Sequence, residues 1–259
     1  MALLTKRPFS DVLLPLGDGK GEAHIFEPEF HQDVYRSAGE RAQAGAHGAF
    51  QLGDSEYVSA APNRGKQPDY VDDLDDPETL RFIGQLTHSG TRLTEVETDN
   101  VAALKSVSIR GGYVDLDSAR AVSRAYYDKN KARTSVRRGD ILINSTGDGT
   151  IGRVSVYHYD FPAVVDGHIT IVRPREQNMG WYIAAYLLTD PGQHQLYRYI
   201  NGSSGQVEIY PQDISRLWIP LADPAEMATI GNALATACQA FETFRAQMGS
   251  ALALATAAS

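Results

Sequence analysis

Residues 137–154 read RRGDILINSTGDGTIGRV, and this stretch indicates the fold more clearly than any other part of the chain. Two arginines lead through a Gly139-Asp140 turn into a short apolar strand. The strand ends in a polar, glycine-rich loop before a second strand begins at Ile151. This strand–loop–strand pattern predicts a sheet. Its basic charge, hydrogen-bonding side chains and bare backbone suit a phosphate-bearing partner better than an apolar one.

The sequence on either side predicts more elements of the same kind. Apolar and β-branched runs predict strands around Val107 and Ile109 and over residues 113–116, 141–144, 151–157, 163–165, 169–172, 207–209 and 217–219. Helices are predicted over residues 118–131, with Ser118 as N-cap, and over 181–188. We therefore expect an α+β fold: a strand-rich mixed domain over residues 1–222, followed by a long coiled-coil helix over 223–259.

Composition is that of an ordinary globular protein. The 259 residues are 42% hydrophobic and 22% charged, which fits one large domain or two small ones. The single cysteine excludes an internal disulfide and fits a reducing cytosol. The N-terminus lacks the apolar core of a signal peptide, and no apolar run approaches the roughly 20 residues that span a bilayer. We expect a cytoplasmic protein with no membrane partner.

Charge is distributed unevenly along the chain, whose formal net charge is −8. Residues 1–104 carry 9 basic and 18 acidic side chains, including an acidic run at 69–78 that predicts an exposed loop. Residues 105–138 carry 9 basic and 3 acidic side chains. Such a basic block can create a local positive field inside an acidic protein, although a solvated charged face would give the same pattern.

The C-terminal region has a regular apolar repeat. Eight residues alternate in steps of three and four: Met227, Ile230, Leu234, Ala237, Phe241, Phe244, Met248 and Ala251. This spacing predicts a coiled-coil seam that binds a partner helix, and we expect a homodimer through it. The alternative is one amphipathic helix packed on its own domain. Cys238 adjoins the seam and is interpreted as a packing residue.

Patterns for catalysis or metal binding are weak. The loop at 147–152 lacks the Gly-Lys-Ser/Thr of a phosphate-binding P-loop and leads into a strand rather than a helix. No Gly-x-Ser-x-Gly accompanies the available serine, histidine and aspartate residues. The seven histidines are scattered and there are no paired cysteines. We expect no catalytic residue, metal site or cofactor in this chain.

Residues suited to nucleic-acid recognition are more frequent. Basic side chains that would hold phosphates interleave with tyrosines, and two polar loops at 144–148 and 198–206 carry groups that can read base edges. Core tyrosines and ordinary turns would produce a similar list. The candidate DNA-binding residues are Lys129, Lys131, Arg133, Arg137, Arg138, Asn144, Ser145, Thr146, Arg153, Arg198, Tyr199, Asn201, Ser203, Ser204 and Gln206.

The order of several motifs resembles the target recognition domain of type I restriction-modification specificity subunits. It is also similar to the recognition domains fused to some adenine methyltransferases. The resemblance covers residues 105–258, whereas the acidic residues 1–104 match poorly. The motifs are, in order, Gly139-Asp-Ile-Leu-Ile, Gly149-Thr-Ile-Gly-Arg-Val, Asp166-Gly-His, Gly202-Ser-Ser-Gly-Gln and Trp218-Ile-Pro-Leu, followed by the long helix.

The resemblance implies a noncatalytic reader of double-stranded DNA. Such subunits dock with an adenine-N6 methyltransferase that uses S-adenosylmethionine, and often with a restriction subunit. This chain shows one recognition domain and one helix, so we expect a half-size subunit whose two copies pair antiparallel. The alternatives are a stand-alone DNA-binding phage-defence factor, a nuclease with its site in residues 1–104, and a protein-binding module whose basic block meets an acidic partner.

Overall fold

The strands predicted inside the quoted stretch pair with each other in the structure. The computed structural model describes residues 13–15, 22–24, 32–71, 99–202 and 207–257. Within these ranges the strands are β1 (Leu13–Pro15), β2 (Glu22–His24), β3 (Ala49–Gln51), β4 (Asn63–Arg64), β5 (Asn100–Leu104), β6 (Arg120–Ser123), β7 (Ser135–Val136), β8 (Ile141–Asn144), β9 (Val154–Val156), β10 (Ala163–Val165), β11 (Ile169–Val172) and β12 (Trp218–Pro220).

Helices lie between and after these strands. They are α1 (Asp33–Gln43), α2 (Arg124–Thr134), α3 (Gln177–Leu187), α4 (Asp190–Arg198), α5 (Pro211–Ile214) and α6 (Pro224–Ala257). Single turns of 3-10 helix occur at Ser106–Ser108 and Leu116–Ser118. Among the described residues, none of these helices combines the length and apolar character that crossing a bilayer would require. This mixed α+β content with a long C-terminal helix confirms the predicted fold class.

Two four-stranded sheets form the centre of the fold. The first has the order β6-β5-β10-β7, in which β5 and β10 are parallel and the other pairs are antiparallel. The second has the order β4-β11-β8-β9 and is antiparallel throughout. β1 pairs with β2, and β12 pairs with β3.

Alternating side chains pack the sheets into layers. Leu142 of β8 lies with Ala102 and Val165 of the first sheet in the core between the two sheets. Ile141 and Ile143 belong to a second core on the opposite side of β8. That second core is covered by α3 and α4, and α6 packs against it through Met227 and Leu234. A third, smaller core joins the outer side of the first sheet to Tyr126 and Tyr127 of α2. The order of layers is therefore α2, first sheet, second sheet, and the group of α3, α4 and α6.

Several local predictions need correction. The helix predicted from Ser118 begins at Arg124, because residues 120–123 pair with β5 as a strand. Ser123 caps this helix by accepting a hydrogen bond from the Tyr126 amide, at 3.1 Å. Strands predicted near 107–116 are replaced by the two 3-10 turns and one isolated bridge, and residues 207–209 form bridges rather than a strand. The acidic run at 69–78 lies mostly outside the described residues.

The long helix uses two faces, which corrects the single predicted seam. Gly231 and Cys238 are buried, and Met227 and Leu234 are half-buried. A Cβ atom built on Gly231 would lie 3.3 Å from both the Trp181 Cβ and the Tyr182 amide, so the glycine lets α6 approach α3 closely. The remaining members of the predicted seam are exposed: Ile230, Ala237, Phe241, Phe244, Met248 and Ala251. Part of the repeat therefore packs on its own domain, and part is left open.

Candidate nucleic-acid interface

Three distant segments meet at the end of β8 and form a surface that we call the loop rim, comprising Arg64, Thr146, His168, Asn201 and Glu208. Glu208 makes isolated β-bridges with both Thr146 and Asn201. Arg64 forms an ion pair with Glu208 and donates a second hydrogen bond to the Ile209 carbonyl, at 2.7 Å. Backbone bridges and a half-buried ion pair hold these segments together, so their relative positions are fixed.

His168 joins the loop rim through the turn before β11. Its Nδ1 lies 2.5 Å from the hydroxyl of Thr146, and its amide donates to Asp166 Oδ1 at 2.9 Å. Burial raises the pKa of Asp166, although the hydrogen bond from His168 acts in the opposite direction. The His168 ring is exposed, so it offers a polar edge to a ligand.

Exposed cations of α2 lie beside the loop rim. Lys129, Lys131 and Arg133 are exposed, and Lys131 pairs with Asp128 at 2.9 Å. The end of α2 is fixed to β4, since Asn63 donates to the Arg133 carbonyl at 2.8 Å. The structure thus places Arg133 next to the strand that carries Arg64 of the loop rim, with Lys129 and Lys131 exposed on the same helix.

Arg137 and Arg138 lie elsewhere. Both are exposed in the turn that precedes β8, at the opposite end of the strand from Thr146. Arg138 pairs with Asp160 at 3.3 Å and donates to the His158 carbonyl, close to α6. The basic residues predicted as one surface therefore form two groups, separated by the length of β8.

Two predicted base-reading residues are interior, and the structure removes them from the candidate surface. Ser145 is buried, and its hydroxyl lies 2.5 Å from that of Thr170. Asn144 is buried and donates to the Ser106 carbonyl at 2.7 Å, while its Oδ1 has no hydrogen-bond partner among the described residues. The two side chains alternate between the two faces of β8, and both faces are covered by other parts of the domain. Neither side chain is exposed to a ligand on the surface.

The glycine-rich loop borders a cavity of about 450 Å³. Gly147, Gly149 and Gly152 have φ values of 91°, 76° and 81°, a conformation that favours glycine and makes this loop a tight turn. Arg153 is half-buried and donates to the Gly149 carbonyl at 2.8 Å. Arg153 and Tyr197 both line the cavity, and part of the predicted phosphate-binding capacity of Arg153 is used within the loop.

The second predicted loop is partly described. Asn201 stands at its base and donates to the Tyr199 carbonyl at 2.9 Å. Burial raises the pKa of Tyr199, whose ring packs against the core behind the loop rim. The Arg198 guanidinium lies over that ring, 5.9 Å from its centre. The predicted residues Ser203, Ser204 and Gln206 lie outside the described residues.

Sequence reasoning missed Arg64, His168 as a surface residue, and Glu208. Arg64 belongs to the part of the chain in which no sequence pattern was recognised. The one local indication of a contact there is the neighbouring Gly65. A Cβ atom on Gly65 would lie 2.2 Å from the Asp166 carbonyl oxygen, so the close approach of these two segments requires glycine. Tyr210 is 40% exposed, and the Arg64 guanidinium lies 5.9 Å from its ring centre.

The described residues therefore combine three features: two packed sheets, a polar loop rim and a long C-terminal helix. Solved structures with a similar arrangement include restriction-modification proteins. They are the type IIG restriction endonuclease BpuSI (TM-score 0.49, 12% identity, covering 80% of this chain and 28% of that one), a chain of a type I R-M system (0.44, 16%, 85% and 48%) and the HsdS subunit from Thermoanaerobacter tengcongensis (0.40, 15%, 83% and 44%).

These similarities concern part of each relative, because this chain spans less than half the length of every one of the three. At identities of 12–16% they do not decide the activity or the partners of this chain. No protein-family model and no curated protein matches the sequence.

Proposed function

We propose that this chain is a noncatalytic DNA sequence-specificity subunit that directs an adenine-N6 DNA methyltransferase to its target site. The observation that supports this most strongly is the joining of the loop rim to the exposed cations of α2. Arg64 connects them, since its carbonyl accepts a hydrogen bond from Arg133 Nε at 3.5 Å while its guanidinium holds Glu208. A fixed polar surface beside a cationic helix suits DNA, whose backbone is anionic and whose groove edges present donors and acceptors.

The two groups of side chains have different tasks in this proposal. Lys129, Lys131 and Arg133 contact phosphates and position the domain, which contributes affinity without sequence information. Thr146, Asn201 and the neighbouring side chains of the loop rim lie where base edges would be read. The 198–206 loop belongs to the same reading surface, because Asn201 and Glu208 close its base.

Arg137 and Arg138 provide a second phosphate contact nearer to α6. Arg138 already pairs with Asp160, so its contribution to DNA affinity is smaller than that of an unpaired exposed cation. A second copy of the chain pairs with α6 through its exposed apolar residues and presents another loop rim. Two-fold symmetry would then favour a split, inverted-repeat site. The methyltransferase partner supplies S-adenosylmethionine chemistry.

The phosphate assignment is tested by a salt series. Duplexes selected from a random library by the purified protein are titrated from low to moderate salt. We expect log Kd to rise steeply with log salt, and K129Q/R133Q to lower the slope by about 1 for each residue removed. Arg41→Gln, which removes one positive charge at an exposed position of α1, is the control and should keep the wild-type slope. An unchanged slope in K129Q/R133Q would remove α2 from the interface.

The methyltransferase assignment is tested separately. The protein is captured from its native cells and assayed for transfer of labelled methyl groups to adenine in duplexes containing the selected site. Site-dependent methylation supports the proposal. Sequence-specific binding without methylation indicates a stand-alone DNA-binding factor, and reproducible cleavage of plasmid DNA by the lone protein with magnesium indicates a nuclease. Failure to bind any duplex favours a protein-binding module.

A further inference from the structure

His158, Cys238 and Glu242 form a cluster of different donor types where α6 crosses the end of β9. The imidazole Nε2 lies 3.1 Å from both carboxylate oxygens of Glu242, and one ligand atom from each of the three residues lies within 4.8 Å of the others. Cys238 and Glu242 are four residues apart on α6, which places both on one face of the helix. His158 and Cys238 are buried, at 8% and 5% exposure, so this is an interior cluster rather than a set of surface charges.

Hydrogen bonds from neighbouring groups orient His158 and Glu242. His158 Nδ1 faces the Val156 carbonyl at 3.4 Å, which leaves Nε2 directed at the carboxylate. Tyr159 donates its hydroxyl hydrogen to Glu242 Oε1. Although burial alone would raise it, the hydrogen bonds from His158 and Tyr159 keep the pKa of Glu242 below its ordinary value. Metal-binding histidines commonly use one ring nitrogen for a backbone carbonyl, and metal-binding carboxylates are hydrogen-bonded in the same way.

The surroundings suit a bound ion. The His158 ring lies between aromatic rings, with centre-to-centre distances of 4.2 Å to Tyr159 and 5.7 Å to Trp181. This aromatic shell excludes bulk water from one side. The Glu242 side chain keeps 23% of its surface exposed, which leaves a route for an ion and a position for a water ligand.

We propose that His158 Nε2, Cys238 Sγ and a Glu242 carboxylate oxygen bind one zinc ion, which fastens α6 to the sheet domain. Nitrogen, thiolate and carboxylate donors are the set that zinc takes in proteins, with a water completing the tetrahedron. Zinc bond lengths put the donor atoms of a tetrahedral site about 3.3–3.6 Å apart, so side-chain shifts of about 1 Å complete this one. On binding, the cysteine thiol loses its proton to solvent, and Nε2 of His158 gives up the proton that it donated to Glu242. The proton that remains on the ring is then on Nδ1, which faces the Val156 carbonyl, and the His158–Glu242 hydrogen bond is replaced by metal bonds.

This site is independent of DNA recognition. It would fix the angle at which α6 leaves the domain, because it joins the residues after β9 to the second half of the docked part of the helix. No metal site was expected from the sequence, since His158 and Cys238 are 80 positions apart. The only local signal is the four-residue spacing of Cys238 and Glu242.

Cobalt spectroscopy on the tag-free, chelator-stripped protein tests the site. We expect one equivalent of Co²⁺ to give a sulfur-to-cobalt charge-transfer band in the near ultraviolet and strong tetrahedral bands in the visible, both removed by one equivalent of zinc. Cys238→Ser should abolish the charge-transfer band, and His158→Gln should weaken zinc binding by more than about 100-fold. Tyr159→Phe, which removes only an outer hydrogen bond, should weaken it by about 10-fold to 100-fold. His47→Gln, at an exposed histidine, is the matched control.

The wild-type spectrum decides the proposal even if Cys238→Ser fails to fold. A saturable band at one ion per chain supports it, as does a melting temperature that zinc raises in the wild type but not in His158→Gln. No sulfur-to-cobalt band in the folded wild type overturns it, and so does unchanged zinc affinity in a folded Cys238→Ser.

Discussion

The two faces of α6 differ, although one three-and-four repeat in the sequence runs across both. The docked face contains Gly231 and Cys238, which are buried against the domain. The open face contains Phe244 and Met248, which are 56% and 47% exposed. At 100° per residue, the open apolar strip lies directly beside the docked face rather than opposite it. The fully buried positions of α6 are thus small residues, Met227 and Leu234 are half-buried beside them, and the large apolar residues farther along the helix are exposed.

This difference shows what selects the docked face. Close approach to α3 requires a residue without a side chain at position 231, and the polar groups of Glu242 and Arg245 find partners on the domain. Steric fit and specific polar contacts, rather than the largest apolar side chains, fix which face is turned inward. The apolar strip then remains exposed, and it is the surface that the proposed pairing of two copies would use.

Breaking the docked face should have the largest effect. Gly231→Leu places a side chain where even a Cβ atom would lie 3.3 Å from Trp181 and the Tyr182 backbone. We expect the free energy of unfolding to fall by about 1–3 kcal/mol or more, because overpacking forces α6 away from α3. Urea denaturation followed by circular dichroism measures this.

Gly249→Ala provides the contrast on the same helix. No atom lies within 4 Å of a Cβ built on Gly249, so the change meets open space. Alanine should leave stability unchanged or raise it by up to about 1 kcal/mol, because alanine is the better helix former. Equal destabilisation by both changes would mean that close packing at Gly231 does not determine the docked face.

Charging the open face should affect association and leave the fold intact. Phe244→Glu puts a carboxylate into the exposed apolar strip, and we expect it to weaken self-association at least about 10-fold, or about 1.4 kcal/mol. Stability of the separated chain should change by less than about 0.5 kcal/mol, as is usual at exposed sites. Sedimentation equilibrium measures the dimer constant. Gln239→Glu, which adds the same charge on the other side of α6, should associate like the wild type.

Local pattern was enough for much of the sheet but not for its edges. Strands at 141–144, 163–165 and 169–172 were predicted correctly, because short β-branched runs between turn residues usually form buried strands. The region before the α2 helix was misjudged, since residues 120–123 resemble the start of a helix and become a strand only by pairing with β5. Such pairing is a tertiary effect that no local pattern contains.

The sequence indicated which residue types could form the candidate interface, but not which of these residues are exposed. Residue chemistry drew attention to Lys129, Lys131 and Arg133, and all three are exposed together on α2. The same chemistry could not show that Asn144 and Ser145 point into the interior, because polar side chains at the end of a buried strand look alike in sequence. Nor could it place Arg64 beside Glu208, which depends on contacts across 144 positions.

Removing the contacts of Arg245, which lies where the docked part of α6 ends, should have the smallest effect on stability. Arg245 donates to Asp115 at 2.8 Å and to Asp117, and every residue from 247 to 257 is exposed. Although burial acts against it, the hydrogen bond that Arg245 donates to Asp115 raises the pKa of the guanidinium, which favours its charged form.

The Arg245 side chain is 33% exposed and Asp117 is 52% exposed, so water screens part of this interaction. Arg245→Gln should therefore cost no more than about 1 kcal/mol of global stability. Hydrogen exchange should instead speed up in the turns around residue 245 that Asp115 and Asp117 hold to the domain. Arg245→Lys keeps the charge but lacks the planar guanidinium that bonds to both aspartates. Its exchange rates should therefore lie between those of the wild type and those of Arg245→Gln. Exchange that is unchanged in Arg245→Gln would show that packing at Gly231 and Cys238 alone decides where the docked part of α6 ends.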